Sequence, residues 1–164
     1  ILNNSQRLLS LVNQLLDFRK SLHQGMKLKV TQANLVESIE SNIAAFNYMA
    51  EEKHIKVDFK SSERKIIGWF DLEKLDIILF NILSNAFKYT PEYGFISLEL
   101  NTTEADNNLH TQHVEIKISN TGKGIPKQLQ EKVFERFYQI DENRSNAIVE
   151  TGTGIGLALV KNLI

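Results

Sequence analysis

Asn81, Asn85 and Lys88 follow one another at intervals of four and three residues, a spacing that on an α-helix places them on one stripe. Leu75, Leu79, Ile82, Leu83 and Ala86 make the apolar face of the same segment, so the polar stripe runs beside the core face. A half-buried Asn is unfavourable without partners, and two of them joined by a Lys suggest a polar site. An amide oxygen can ligate a hard cation such as Mg2+, and an ammonium can meet a phosphate. A solvated helix face is the plain alternative for this stripe taken alone.

Two glycine clusters add to it. Gly122 and Gly124 follow an alternating apolar segment, and Gly152, Gly154 and Gly156 precede a helical one. Glycine lets backbone come close to a neighbour or a ligand, and amides backed by a helix N-terminus make a phosphate cradle. The pattern GxxxxGK[ST] of a P-loop occurs nowhere. The stretch GTGIG has the wrong spacing for a dinucleotide fingerprint and lies near the end of the chain rather than early in a βαβ unit.

The elements that must position these residues alternate in type. Residues 27–30 read as a short strand, and Asn34 with Glu37 makes a capping box for a helix to about Lys53. Residues 55–59 alternate as a half-buried strand does, with 66–70 as its partner strand. Asp71 is a good N-cap for the helix carrying the Asn stripe, which must stop by Thr90 and Pro91. Residues 95–100 and 114–119 alternate again, with a polar loop between them. Residues 121–126 are a glycine turn, 127–138 a short helix, 140–151 a mobile loop, and the segment from Gly152 a glycine turn running into a final helix.

At the other end, Ile1, Leu8, Leu11, Leu15, Phe18 and Leu22 recur at alternating three- and four-residue steps once Asn4 fills the position between the first two, and Leu9, Val12 and Leu16 widen that face. Such a stripe over residues 1–24 suits a helix bundle, or an amphipathic helix lying on its own domain.

Composition narrows the class. Nineteen Lys and Arg against twenty Asp and Glu leave a net charge of −1, which gives no support for a nucleic-acid-binding domain. The absence of cysteine excludes a disulfide scaffold and a cysteine-ligated zinc site. No apolar run approaches the roughly 18–20 residues of a membrane span, and the N-terminus lacks the basic start and apolar block of a signal peptide. The chain opens without Met and in mid-pattern, as a piece of a longer protein would.

Four segments in order, NILSNAFKYTP at 81–91, SNTGKGIP at 119–126, FERFYQ at 134–139 and GTGIGLALV at 152–160, resemble the ATP-binding domain of sensor histidine kinases. These two-component enzymes belong to the gyrase, Hsp90, histidine kinase and MutL superfamily. The leading LLSLVNQLLDFRK resembles the end of their dimerisation and phosphotransfer bundle, in a style most like that of hybrid sensor kinases.

The resemblance implies an α/β fold, a two-layer sandwich of a mixed sheet with helices on one face (the Bergerat type), preceded by a bundle-forming helix. It divides the chain into residues 1–24, from the bundle, and 25–164, an ATP-binding catalytic domain that ends before its closing strands. Asn85 would ligate Mg2+, with Asn81 beside it, and Lys88 and Tyr89 would contact phosphate and the nucleotide edge. Asn120 stands where the family usually has an Asp that receives the adenine amino group; an Asn oxygen can still accept that bond, without the charge. Gly122, Gly124 and Ile125 would shape the adenine pocket. Gly152, Thr153, Gly154, Gly156 and Leu157 would form the lid hinge and phosphate-facing turn. Phe137 would line the nucleotide site, and Arg136 would serve in place of the Arg that many relatives carry where this chain has Gln139.

Relatives that hydrolyse ATP carry Glu four residues before the Mg2+-binding Asn. Here that position is Asn81, and an amide cannot act as a general base, whereas an imidazole acceptor needs little activation. The resemblance therefore implies phosphoryl transfer from ATP to a histidine of the kinase's own bundle, upstream of Ile1, and onward to an aspartate of a receiver domain. His23, His54, His110 and His113 are expected to be non-catalytic. It further implies a homodimer through the N-terminal helix, no nucleic-acid partner, and a cytoplasmic location within a membrane-anchored sensor whose membrane parts lie outside this sequence. The rival readings are an anti-sigma-type serine kinase, which lacks the bundle, and a non-enzymatic nucleotide-sensing or dimerising module.

Overall fold

The computed structural model describes residues 28–104, 112–140 and 153–164. They fall into two compact units, Lys29–Gly124 on the one hand and Leu28 with the described residues from Ile125 onward on the other. The bundle helix expected over residues 1–24, His23, His110, Gly152 and the loop from 141 onward lie outside the described residues.

In the first unit, β1 (Thr31–Asn34) leads into α1 (Leu35–Ala44), α2 (Asn47–Glu52), β2 (Lys56–Ser61) and β3 (Ile67–Phe70). The long helix α3 (Leu72–Tyr89), β4 (Phe95–Glu104) and β5 (Gln112–Asn120) complete it. The main sheet runs β2-β4-β5; β2 is parallel to β4, and β4 antiparallel to β5, so the sheet is mixed. A parallel pair needs a crossover, and α3 lies within the connection between β2 and β4. Along β4 the period of two turns Ile96, Leu98 and Leu100 into the core, where at most 1% of each is exposed. They meet Leu35, Val36 and Ile39 of α1 and Leu79, Leu83, Ala86 and Phe87 of α3 in one apolar cluster. This is the expected α/β class: a mixed sheet packed by helices.

Asp71 caps α3 as expected. Its Oδ1 accepts from the Lys74 backbone N–H at 3.2 Å, and its Oδ2 accepts from the Lys29 backbone N–H at 2.9 Å and from Lys74 Nζ. At the far end the helix stops at Tyr89, where Pro91 forbids continuation. Asn34 caps α1, accepting from the Val36 N–H, while its Nδ2 donates to Glu37 Oε1 at 2.9 Å. The Glu37 link therefore runs to the cap side chain rather than to the cap backbone.

Three sequence expectations need correction in this unit. The first strand is Thr31–Asn34, not 27–30. Its partner is β3, in the register Thr31 to Phe70 and Asn34 to Ile67, so residues 66–70 do not pair with 55–59. Asn34 explains the choice: its Oδ1 also accepts from the Ile66 N–H at 3.2 Å, and the Leu35 N–H donates to the Ile66 carbonyl at 2.9 Å. Finally, the helix from Asn34 breaks after Ala44. Phe46 turns into the core there, its ring 5.0 Å from that of Phe87 and stacked on it.

In the second unit, residues 127–138 form no α-helix. They make two 3-10 turns, Lys127–Leu129 and Lys132–Phe134, after which Glu135 is extended and Phe137 takes a left-handed φ of 62°. The Phe137 N–H is drawn instead to the Gly154 carbonyl at 2.8 Å, which a continuing helix would forbid. The glycine turn runs as expected into α4 (Gly156–Leu163), which buries Ala158, Leu159 and Val160 and packs on the second 3-10 turn.

Candidate functional site

In the first unit the candidate residues gather at the C-terminal half of α3 and the end of β5. Asn81, Asn85 and Lys88 are all half-buried, between the core face and solvent. Asn81 donates its Nδ2 to the Ile77 carbonyl one turn back, at 2.8 Å, so half of that amide serves its own helix. Asn85 makes no side-chain hydrogen bond among the described residues. Lys88 places its Nζ 5.0 Å from the centroid of the exposed Tyr89 ring, an arrangement that keeps the ammonium at the helix end.

Thr90 ends the helix as a buried polar residue, 2% exposed. Its N–H and its hydroxyl both donate to the Ala86 carbonyl, at 3.0 and 2.6 Å. The hydroxyl oxygen in turn accepts from Asn120 Nδ2 at 3.1 Å. Asn120 thus reaches from the end of β5 to the end of α3, and its Oδ1 makes no hydrogen bond among the described residues. Antiparallel pairing sets this position: Asn120 lies opposite Ile96, and beside it the Thr121 N–H donates to the Phe95 carbonyl at 3.0 Å while the Phe95 N–H donates to the Thr121 hydroxyl oxygen at 2.9 Å.

Gly122 fits where no side chain could. A Cβ there would come within 2.1 Å of the Tyr89 carbonyl oxygen and 2.6 Å of Asn120 Nδ2. At Gly124, by contrast, a Cβ would meet nothing within 4 Å. It borders open space.

In the second unit, Gly154 takes a φ of 68°, and a Cβ on it would stand 2.7 Å from the Phe137 Cα and carbonyl carbon. The segment 134–139 and the glycine turn are therefore joined backbone to backbone. Thr153 accepts from the Ile155 N–H at 3.2 Å, and Ile155 at the start of α4 provides no side-chain cap. Gly156 and Leu157 are half-buried, Ile125 and Phe137 exposed, and Arg136 and Gln139 each have an interaction partner.

His54 and His113 lie on the surface, His54 stacked 4.8 Å from Tyr93 and His113 in β5, and neither is part of a metal-binding cluster among the described residues. Thr90, expected from the sequence only to mark the end of the helix, is the residue of this cluster that was given no part in the site. Its signal lies in the position itself, a hydroxyl one residue before the Pro that ends a helix carrying a polar stripe.

Residues 70–164 match the family described as Histidine kinase-, DNA gyrase B-, and HSP90-like ATPase. The chain belongs to that family. It is 35% identical over 164 residues to the sensor histidine kinase TmoS of Ectopseudomonas mendocina, covering all of this chain and 16% of that protein. Among solved structures it is similar to full-length ShkA in complex with AMPPNP, with a TM-score of 0.79, 27% identity, and coverage of 98% of this chain and 31% of that one. It is also similar to the histidine kinase ThkA in complex with the response regulator protein TrrA, with a TM-score of 0.66, 25% identity, and coverage of 84% and 38%. The chain spans between 10% and 16% of the length of the first curated relatives it matches. No helix among the described residues is long and apolar enough to cross a membrane.

Proposed function

We propose that this chain is the ATP-binding part of a sensor histidine kinase, and that it presents the γ-phosphoryl group of ATP to a histidine outside these 164 residues. Family membership supports the reading, and so does the AMPPNP in the similar ShkA. The observation that carries it within this chain is Asn85: a half-buried amide, on the stripe with Asn81 and Lys88, that the fold leaves without a hydrogen bond among the described residues. No buried side-chain polar atom among the described residues lacks a partner, so the Asn85 amide is open to solvent and can be reached by a ligand.

Asn85 would hold Mg2+ through its amide oxygen, and Lys88 would meet phosphate. The ion would supply charge neutralisation on the phosphates. Asn120 would accept from the adenine amino group through Oδ1, and the Gly122–Tyr89 contact keeps that edge of the pocket thin. Gly124 leaves room beside it. Gly152, Thr153, Gly154, Gly156 and Leu157, with Ile125, Arg136 and Phe137, would supply the phosphate-facing turn and the remaining nucleotide contacts.

Catalysis in this reading is positioning and charge stabilisation rather than base catalysis. Asn81 cannot take a proton from water, so hydrolysis is disfavoured, while an imidazole nitrogen can attack phosphorus without such help. Residues 1–24 would belong to the dimerisation bundle and 25–164 to the catalytic domain. The acceptor histidine would then pass its phosphoryl group to a receiver-domain aspartate, a partner suggested by the ThkA–TrrA complex. The parent would be membrane-anchored through other segments, with this part in the cytoplasm.

The test is to extend the chain upstream through the first bundle helix and incubate it with γ-labelled ATP and Mg2+. Acid-labile, base-stable label on a histidine is the expected product. Nucleotide binding without any label would leave a nucleotide-sensing module, and label on serine would point to the serine-kinase alternative.

A further inference from the structure

Resting on the reading that Asn120 meets the purine, we propose that Thr90 is a positioning residue that makes the pocket selective for a base bearing an exocyclic amino group. A carboxamide has two ends of nearly the same shape and opposite hydrogen-bonding sense. An Asn free to turn about its last bond could offer its oxygen to an amino group or its nitrogen to a carbonyl. At this position it therefore needs a device to choose, and Thr90 is that device.

The assignment follows from proton counting. Thr90 has a single hydroxyl proton, and its oxygen lies 2.6 Å from the Ala86 carbonyl, which can only accept. The proton must lie on that line. The hydroxyl oxygen then has only lone pairs left, so the Asn120 atom 3.1 Å away must be the amide nitrogen. Thr90 is itself 2% exposed and held by its own N–H to the same carbonyl at 3.0 Å, so its hydroxyl cannot swing to water. Gly122 completes the arrangement: any Cβ there would fall 2.6 Å from the amide nitrogen and expel it from this seat. The nitrogen is turned inward, and Oδ1 is left as an acceptor without a partner among the described residues.

The consequence is selectivity. Adenine presents an amino group to Oδ1, whereas hypoxanthine presents an oxygen to an oxygen and leaves both unsatisfied. An Asp at this position would need no such lock, because both of its oxygens accept. Thr90 and Asn120 therefore act as a pair.

The experiment is a calorimetric titration of the full chain with Mg-ATP and, separately, Mg-ITP. The unsubstituted chain is expected to prefer ATP by about tenfold or more, the usual consequence of leaving a polar group unpaired. Thr90→Val, which keeps the shape and removes the hydroxyl, is expected to bring the two affinities to within about threefold, and Thr90→Ser to preserve the preference. In the Asn120→Asp background, Thr90→Val should leave the ATP-to-ITP ratio unchanged, a result that a merely structural role for Thr90 would not produce. Equal binding of ATP and ITP by the unsubstituted chain would overturn the proposal even if Thr90→Val does not fold. So would an undiminished preference in a folded Thr90→Val. Binding of neither nucleotide would remove the underlying reading of the site and this inference with it, whereas ATP binding without discrimination removes this inference alone.

Discussion

Gly122 lies against the carbonyl of Tyr89, so close that a Cβ would stand 2.1 Å from its oxygen and 2.8 Å from its carbon. The contact joins the turn after β5 to the last residue of α3, the helix that carries Asn81, Asn85 and Lys88. Both partners are backbone, so neither can yield by rotating a side chain. The glycine turn and the helix end are thereby held as one piece at the place where Asn120 reaches Thr90.

Gly122→Ala should therefore lower stability by about 1–3 kcal/mol through overpacking. Gly124→Ala, with nothing within 4 Å of its added methyl, should change stability by no more than about 0.5 kcal/mol. Urea unfolding of the two variants side by side checks the contrast. Equal losses would mean that the turn does not pack on α3 in this way.

A second expectation concerns pH. The Lys74 side chain, with the Lys29 backbone N–H, holds the Asp71 carboxyl down from 3.8 to about 2. A carboxyl whose pKa is lowered in the folded state stabilises that state above its unfolded pKa and loses this contribution as acid protonates it. The contribution of Asp71 should thus be complete above about pH 4 and fade as pH falls towards 2. Urea midpoints measured across that interval should drop more steeply for the natural chain than for Asp71→Asn. Parallel curves would show that this cap does not carry the charge-dependent stabilisation.

Asn81 separates two chemistries. Replacing it with Glu places a general base on the stripe one turn before Asn85. Asn81→Glu should raise the rate of phosphate release from ATP, followed by a coupled phosphate assay in the presence of Mg2+. An unchanged rate would remove the argument that the amide at this position protects ATP from water.

How far the sequence disclosed these arrangements varied with the range of the interaction. The helix from Leu72 to Tyr89 was readable because its signals are local: Asp71 at the cap, apolar residues every three or four positions, and Pro91 after the end. The same holds for Ile96, Leu98 and Leu100, which alternate along β4. What escaped was set at a distance. The pairing of β1 with β3 depends on Asn34 reaching Ile66, and the break at Phe46 on the ring of Phe87. The failure of 127–138 to form an α-helix depends on the bond from Phe137 to Gly154. Within the candidate site, the Asn stripe was legible from spacing alone. The Thr90–Asn120 bond joins residues thirty positions apart and leaves no periodicity to read.

The central claim is that Asn85 serves a Mg-nucleotide rather than the fold, and calorimetric titration of the chain with ATP, with and without Mg2+, tests it most directly when Asn85→Ala is run beside it. Binding is expected to weaken by about tenfold or more on removing Mg2+ or the amide, with the urea midpoint of Asn85→Ala not lowered, because that side chain makes no hydrogen bond among the described residues and Ala is the better helix former. Equal ATP affinity in the natural chain and a folded Asn85→Ala, or no binding by the folded natural chain, would contradict it.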